Sequence, residues 1–361
     1  MAQQQDKSIN ELMTAQNIAL FNLLFWHQIF LEGVSLSTAR NFDVVLRSLY
    51  DEFKKYLANV RYQKLDELTK AELNDFIYRF KKAQTKFYSR YTQQLIKVLQ
   101  QFVAADVEGT RGILQHVTGK TLAQADAERQ HATLKGTAVL QPGGTYGLWA
   151  SIATDPIPAN GMTTAQMLQG FGNTSVNKVS QAIRMAYANG WTKDELINRL
   201  FGLPQNNWRD GYFAKMYQQN NTLVSTAIQH VSSIVQGAVT SVYLGSYTWV
   251  SIIDGHTTAI CTERNGRTFE FGKGPIPPAH WGCRSKTVGK FDGADDIAVP
   301  ATFAAWFATQ PTDVVSALLG SSLAVSLSAG KLRRATLASV AQSLTLVQFL
   351  AKIKQLLGVF K

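Results

Sequence analysis

The first third of the chain carries apolar residues at helical spacing. They recur every three or four positions from Phe42 to Leu57 and fall on one helical face again from Leu73 to Val98. Thr69 and Glu72 have the spacing of a capping box, in which each side chain bonds the backbone N–H of the other residue at a helix start. The pattern predicts a helical N-terminal region over residues 1–134.

The helical period is lost over residues 135–161, where glycine and proline are dense. Such a composition predicts a linker or an extended arm. Helical spacing resumes over residues 162–245, with a second capping box at Thr192 and Glu195 and a long apolar face that begins at Leu223. A second helical region is therefore predicted here.

At Tyr247 the pattern changes from helical to strand-like. The segments SYTWVSII and RTFEF are rich in β-branched and aromatic residues and are separated by turn signals, which is typical of short strands. Residues 246–292 are predicted to form a small β-rich module, and residues 293–361 a helical C-terminal tail. The predicted fold class is α+β: mainly helical N-terminal and central regions, a small β-rich Cys/His module near residues 247–292, and the helical tail.

Composition adds a preference for polyanionic surroundings. Of 361 residues, 45% are hydrophobic and 17% are charged, and 36 lysines and arginines against 25 acidic residues give a formal net charge of +11. This excess favours nucleic acid or a membrane surface as a partner. The same composition excludes a collagen-like, coiled-coil-only or disulfide-framework protein.

The sequence predicts no stable membrane insertion. The longest apolar run, from Ile18 to Leu31, is interrupted by Asn22, His27 and Gln28 and falls short of the roughly 18 apolar residues of a spanning helix. The first ten residues lack the apolar core of a signal peptide. Two cysteines are too few to staple a chain of this length, so we expect a reducing, cytosolic folding compartment.

One face of the helix predicted after Thr69 is basic. No acidic residue occurs between Asp75 and Asp106. The face is either the solvated side of a core helix or a stripe that lies along phosphates and binds DNA without sequence preference. The residues of this basic stripe are Arg79, Lys82, Lys86, Arg90 and Lys97.

Both cysteines and two of the six histidines lie in one short block. Four residues separate His256 from Cys261, and two separate His280 from Cys283. Two such pairs form a candidate tetrahedral zinc set, because neutral imidazole and thiolate are zinc ligands and a small module gains stability from a metal clip. The alternatives are a disulfide between the cysteines and a metal-free cluster of buried, hydrogen-bonded thiols.

Asp254 and Arg284 flank this set. The planar guanidinium of Arg284 could pair with the Asp254 carboxylate, although Asp-Gly is also an ordinary turn pair. Pro275, Pro277 and Pro278 are expected to impose an extended path that presents His280 and Trp281 at its end. We therefore expect Asp254, Arg284 and the four cysteine and histidine residues to converge on one module.

The order of residues in this block resembles the head morphogenesis family of tailed bacteriophages, the phage Mu protein F-like minor head proteins. The family pattern runs through a tryptophan, D-x-x-T, a cysteine, an N-G or D-G turn, G-P-x-P-P-x-H, and C-R-S or C-R-C. The positions that fill it here are Trp249, Asp254, Thr257, Cys261, Asn265-Gly266, Gly274-Pro275, Pro277-Pro278, His280 and Cys283-Arg284-Ser285.

The resemblance implies a structural role. Family members are minor components of the virion head interior, associated with the portal vertex and needed for head morphogenesis and productive DNA ejection. The implied partners are the phage portal protein, other head or scaffold proteins and packaged double-stranded DNA, and synthesis would take place in the host bacterial cytoplasm. Many relatives have C-R-C where this chain has Ser285, so a cage of three cysteines cannot form and His256 would have to supply a ligand.

Two other functions are compatible with parts of the sequence. A metal-dependent nuclease is suggested by His256, Asn265 and His280, but that site needs a general-base histidine near metal ligands on a hairpin-plus-helix frame. A DNA-binding accessory factor would use the basic ends of the chain. Because no phosphate-binding loop, dinucleotide fingerprint or serine elbow occurs, and no complete set of nucleophile, base and orienting residue is present, we expect no enzymatic activity.

Overall fold

The structure, a computed structural model, describes residues 2–128, 144–206, 208–254, 257–332 and 335–360. It is mainly helical and contains one small antiparallel sheet. The predicted α+β class, with a mainly helical chain around a small β-rich module, is therefore confirmed.

Helices and strands follow one another in a simple order. The helices are α1 (Ala2–Ala39), α2 (Phe42–Ala58), α3 (Lys70–Thr118), α4 (Leu122–Glu128), α5 (Gly144–Thr154), α6 (Thr164–Ala188), α7 (Lys193–Phe201), α8 (Tyr212–Tyr243), α9 (Ala259–Arg264), α10 (Phe303–Ala308), α11 (Thr312–Leu319), α12 (Ser321–Ser328), α13 (Leu337–Val340) and α14 (Leu346–Val359). The strands are β1 (Ser246–Val250), β2 (Thr268–Glu270) and β3 (Lys286–Lys290).

The chain divides into two compact units, each built from segments that are distant in sequence. Unit 1 comprises residues 1–37, 99–161 and 225–361, and unit 2 comprises residues 38–98 and 162–224. Helices α1, α3 and α8 contribute residues to both units, because successive turns of a long helix can belong to different cores. The units therefore differ from the five consecutive segments drawn from composition.

Both predicted capping boxes are present in unit 2, and they mark where helices begin. The Thr69 backbone N–H donates to Glu72 Oε2 at 2.8 Å, and the Glu72 N–H donates to Thr69 Oγ1 at 3.2 Å. Thr192 and Glu195 make the same reciprocal pair at the start of α7. Each box satisfies N–H groups that have no partner within the helix.

Aromatic side chains fill the core of unit 2. The Phe53 ring on α2 lies 4.6 Å from Phe80 on α3, centroid to centroid. Phe42 contacts Tyr91 on α3 at 5.2 Å and Phe171 on α6 at 5.6 Å. These contacts come from the apolar faces that the helical period predicted.

In unit 1 the three-stranded sheet packs on α8. β1 lies in the centre, between β2 and β3, and both pairings are antiparallel. The approach of β3 to α8 requires glycine at position 289, since a Cβ there would lie 2.5 Å from Leu244 Cδ1 and 2.6 Å from Thr240 Cγ2. The absence of a side chain at Gly289 thus lets β3 pack closely against the side chains of Thr240 on α8 and of Leu244 just after it.

A buried polar network crosses the core of unit 1. Lys286 on β3 is 1% exposed, and its Nζ lies 3.0 Å from Nδ1 of His27 on α1. Gln236 on α8 approaches the same Nδ1 at 3.2 Å, while His27 Nε2 contacts Asp106 on α3. Phe349 on α14 covers the imidazole edge-on, with ring centroids 5.3 Å apart.

The predicted linker contains a helix. Residues 144–154 form α5, where the dense glycines predicted a linker or an extended arm over 135–161. Leu148 and Ile152, one helical turn apart, are both fully buried, and burial of such a pair stabilises a helix that glycine alone disfavours. Residues 135–143 lie outside the described part of the chain.

One described stretch, Ser8–Ala58, contains an 18-residue window apolar enough to span a membrane, with a mean hydropathy of 1.3. Within the fold, 78% of that window is buried. Such burial is typical of a helix in the core of a folded domain.

Candidate metal centre

The candidate site lies in the module formed by β1, α9, β2 and β3. Trp249 on β1, Cys261 on α9 and Cys283 before β3 form one buried cluster, against which Phe269 and Ala279 pack. The Trp249 indole N–H donates to Ser251 Oγ at 2.9 Å. The buried tryptophan therefore packs with both cysteines.

Three candidate ligands come together at this buried cluster. Cys261 Sγ and Cys283 Sγ are 3.7 Å apart, and both thiols are free and buried. A ring nitrogen of His280, which is partly buried, lies within 4.8 Å of both sulfurs. Cys261, His280 and Cys283 could therefore hold a metal ion, whereas His256 lies outside the described residues.

Hydrogen bonds among the three side chains shift their pKa values in opposite directions. The hydrogen bond from Cys261 lowers the pKa of Cys283, and a hydrogen bond from His280 lowers it further, against the opposing effect of burial. The same contact raises the pKa of Cys261. The hydrogen bond with Cys283 raises the pKa of His280. The site thus favours a thiolate on Cys283, the form that binds metals.

The loop that carries His280 is attached to the module at several points. Tyr247 Oη donates to the Pro275 carbonyl at 2.5 Å, and the Gly282 N–H donates to Thr226 Oγ1 on α8 at 2.9 Å. Between these points Pro277 and Pro278 are buried, and the peptide bond that joins them is cis. The prolines thus belong to the packed module.

The His280 ring is oriented by the loop itself. Its Nδ1 lies 2.9 Å from the Trp281 carbonyl oxygen, which can only accept, so Nδ1 carries a proton. Nε2 is therefore free to bind a metal when the ring is neutral, that is, without the second proton that the hydrogen bond with Cys283 favours. A backbone carbonyl commonly fixes the tautomer of metal-binding histidines in this way.

Ser285 occupies the position where many relatives have the second cysteine of C-R-C. It belongs to a buried hydrogen-bond network next to the cysteines. Its hydroxyl lies 3.1 Å from Ser251 Oγ, which donates to the Cys261 carbonyl at 2.7 Å. Gln229 on α8 donates to the Ser285 carbonyl at 3.0 Å. Ser251 and Gln229 were missed by sequence reasoning, because a buried serine or glutamine carries no spacing signal.

Asp254 and Arg284 form the ion pair that the sequence suggested. Arg284 Nη2 lies 2.7 Å from Asp254 Oδ1, with side-chain exposures of 14% and 4%. Glu32 on α1 stands near both: burial raises its pKa, the Arg284 charge lowers it, and the Asp254 charge raises it. Glu32 was not predicted, since nothing in the sequence relates α1 to this loop.

The remaining residues of the pattern shape the turns. Thr257 Oγ1 accepts from the Asp254 N–H at 2.8 Å and donates to the Ile252 carbonyl at 2.9 Å. Gly266 has φ of 81°, a backbone region that favours glycine, and its N–H donates to the Trp249 carbonyl at 2.8 Å. Thr257 therefore stabilises the turn after β1, and Gly266 joins the segment after α9 to the strand itself.

The nuclease arrangement lacks part of its frame. Asn265 Oδ1 accepts from the Ser251 N–H at 2.8 Å, so this side chain fixes the backbone. Residues 281–302, all of them described, contain no helix. The hairpin-plus-helix frame of that class of site is therefore not formed by these residues.

The basic stripe is a separate feature on unit 2. Its five residues, Arg79, Lys82, Lys86, Arg90 and Lys97, are all exposed on the unbroken helix α3. At 1.5 Å per residue they span about 27 Å. Arg79 Nε pairs with Asp75 Oδ2 at 2.8 Å, one turn earlier, so this cation is partly neutralised.

Comparison with protein-family models, with curated proteins and with solved structures finds no match to this chain. The resemblance to phage head morphogenesis proteins therefore rests on residue patterns in the sequence alone, chiefly that of the module.

Proposed function

We propose that this chain is a minor head protein of a tailed bacteriophage, located in the head interior beside the portal and acting in head morphogenesis. The observation that carries the proposal is that residues of the sequence pattern contact one another in the module. Trp249 packs with the two cysteines, Asp254 pairs with Arg284, and Gly266 forms a turn. These contacts support the proposal because they join residues of the pattern into one folded module.

Mass spectrometry and protease protection of purified particles test this function. In virions from a host that expresses the chain, it should be present in far fewer copies than the major capsid protein. Protease should not degrade it until the heads are opened. Particles that lack the chain, although the host makes it, would overturn the proposal.

Within this function, the cysteine and histidine cluster is proposed to bind structural zinc. Two thiolates on a tetrahedral zinc, each about 2.3 Å from the metal, are separated by about 3.8 Å, and the observed sulfur separation is 3.7 Å. A disulfide needs about 2.0 Å. Cys261, His280 and Cys283 would supply three ligands, and His256 or water the fourth.

Metal analysis of protein purified without chelators tests the zinc proposal. The expected result is one zinc per chain, lost in Cys283→Ser and retained in His116→Ala, which removes an exposed histidine on α3. Metal-free protein would contradict the zinc proposal. Two titratable thiols would then indicate the metal-free cluster, and a mass lower by two hydrogen atoms would indicate the disulfide.

The basic stripe is proposed to contact packaged duplex DNA. The five cations lie along one face of the unbroken helix α3, and non-specific DNA binding depends on such phosphate contacts rather than on base edges. A DNA-binding accessory factor would use the same stripe, and the particle analysis above separates it from a head protein.

A further inference from the structure

Unit 2 contains an open cleft that the proposed function does not use. Its volume is about 1120 Å³, larger than the 300–1,000 Å³ or so of most small-molecule pockets. One side is formed by α2, and the other by residues 208–218 at the start of α8. A ligand longer than a single small molecule fits these dimensions.

Aromatic rings form the interior of the cleft. Phe201 packs against Tyr50 at 5.0 Å and Phe213 at 4.6 Å, centroid to centroid. Trp208 meets Tyr50 edge-on at 6.3 Å and remains 46% exposed. The cleft thus presents a large, solvent-exposed ring next to a packed aromatic base.

The turn before α8 holds Trp208 in an uncommon backbone conformation. Trp208 has φ of 58°, which is strained for a residue with a side chain. Asp210 braces the turn, because its carboxylate accepts from the Leu203 N–H at 2.9 Å and from Asn206 Nδ2 at 2.6 Å. Trp208 N–H donates to the Leu203 carbonyl at 3.0 Å. The fold therefore stabilises an exposed tryptophan at a cost in backbone strain.

Three cations surround these rings. Arg47, Arg209 and Lys215 line the cleft and are exposed, and none of them has a carboxylate within 4 Å among the described residues. Asp43 and Asp51 also line it, on α2. The rim therefore offers more positive than negative charge, together with carboxylates that accept hydrogen bonds.

We propose that this cleft binds unpaired nucleotides of a single-stranded nucleic acid. Bases stack on exposed aromatic rings regardless of sequence, and nearby cations hold the phosphates. The two carboxylates can accept hydrogen bonds from base amino groups, as acidic side chains do with cytosine N4. An acidic peptide would also meet the cations, but it would leave the exposed Trp208 ring without a flat partner.

This site is distinct from the basic stripe and independent of the head-protein proposal. The stripe consists of cations on α3 without the cleft's stacking rings, so it is expected to prefer duplex. The cleft is expected to prefer a single strand, since bases in a duplex are already stacked. The two activities are therefore separable by the form of the nucleic acid.

Fluorescence anisotropy with the full chain tests the proposal. The probes are a labelled ten-nucleotide single strand, the same sequence as a duplex, and an acidic peptide of equal charge. Trp208→Asn removes the ring and keeps a residue that tolerates this backbone conformation. We expect it to weaken single-strand binding at least fivefold, as loss of one stacked base does (about 1–3 kcal/mol), while duplex binding stays unchanged.

Matched controls isolate stacking and local charge. Tyr146→Asn removes a ring on α5 that is 71% exposed and should leave single-strand affinity unchanged. Arg209→Glu should weaken it more than Lys178→Glu, which makes the same change of charge at an exposed position on α6.

Three results would overturn the proposal. One is single-strand affinity that Trp208→Asn does not change. Another is an equal loss of single-strand and duplex binding in this variant. The third is tight binding of the acidic peptide without binding of the single strand.

Discussion

Nε2 of His27 lies 2.6 Å from Oδ1 of Asp106, and both side chains are fully buried. On the other side of the ring, Nδ1 faces the Lys286 ammonium, which can only donate. The imidazole therefore carries its proton on Nε2 and donates it to Asp106. A neutral histidine thus joins a buried carboxylate to a buried ammonium in the core of unit 1.

This network makes stability depend on pH. Burial lowers the pKa of His27 below 6.5, and the Lys286 charge lowers it further. Burial also lowers the pKa of Lys286 from 10.5 to about 7. The unfolded chain thus binds more protons between pH 10.5 and 7 at Lys286, and below pH 6.5 at His27. Stability should fall as the pH is lowered through both windows, by up to about 1.4 kcal/mol per unit for each proton.

Urea unfolding between pH 6 and 10 measures this dependence. Lys286→Met should flatten the rise in stability above pH 7, because it removes the group that titrates there. Lys178→Met, on the exposed face of α6, should preserve it. An alkaline slope that Lys286→Met leaves intact would contradict the prediction.

Loss of the Asp106 charge should be strongly destabilising. Asp106→Asn removes the buried charge that accepts from His27 Nε2, and loss of a hydrogen bond to a charged group typically costs about 1.5–3 kcal/mol. The matched control is Asp75→Asn, which breaks the exposed pair with Arg79 and should change the free energy of unfolding far less. Equal effects in denaturant titration would mean that the buried charge contributes little.

An added methyl group at position 289 should separate β3 from α8. The new Cβ of Gly289→Ala would lie within 2.6 Å of both Leu244 and Thr240, and overpacking of this kind costs about 1–3 kcal/mol. Gly170→Ala on α6 meets nothing within 4 Å and should gain about 0.5–1 kcal/mol from helix propensity. Opposite shifts in the thermal midpoint are expected, and a neutral Gly289→Ala would disprove the close approach.

Charge reversal on α3 should weaken duplex binding and change its salt dependence. Replacing Lys82, Lys86 and Arg90 with glutamate removes up to three phosphate contacts, each worth about 0.9 log units of affinity per log unit of salt. Lys178→Glu serves as the control outside the stripe. The affinity is to be measured between about 50 and 200 mM salt, where it is sensitive to salt. The slope of log affinity against log salt concentration should become shallower in the triple variant and stay unchanged in Lys178→Glu.

Local patterns predicted much of the secondary structure. The two threonine–glutamate boxes begin helices as expected, and Tyr247 lies in β1. The strand β3 escaped prediction because KTVGK has a glycine and two lysines, and no alternation of apolar and polar residues. Lys286 is acceptable in a core only because α1 and α3 supply His27 and Asp106.

The sequence by itself determined where most of the long helices and the strands β1 and β2 lie, because period and capping depend on near neighbours. It also placed both cysteines and His280 in one short block. Only the tertiary structure decided what surrounds them: Glu32 beside Arg284, Gln229 on the Ser285 carbonyl, and the division into two units. These contacts join residues far apart in the chain, and they depend on the burial of whole faces, which no local pattern specifies.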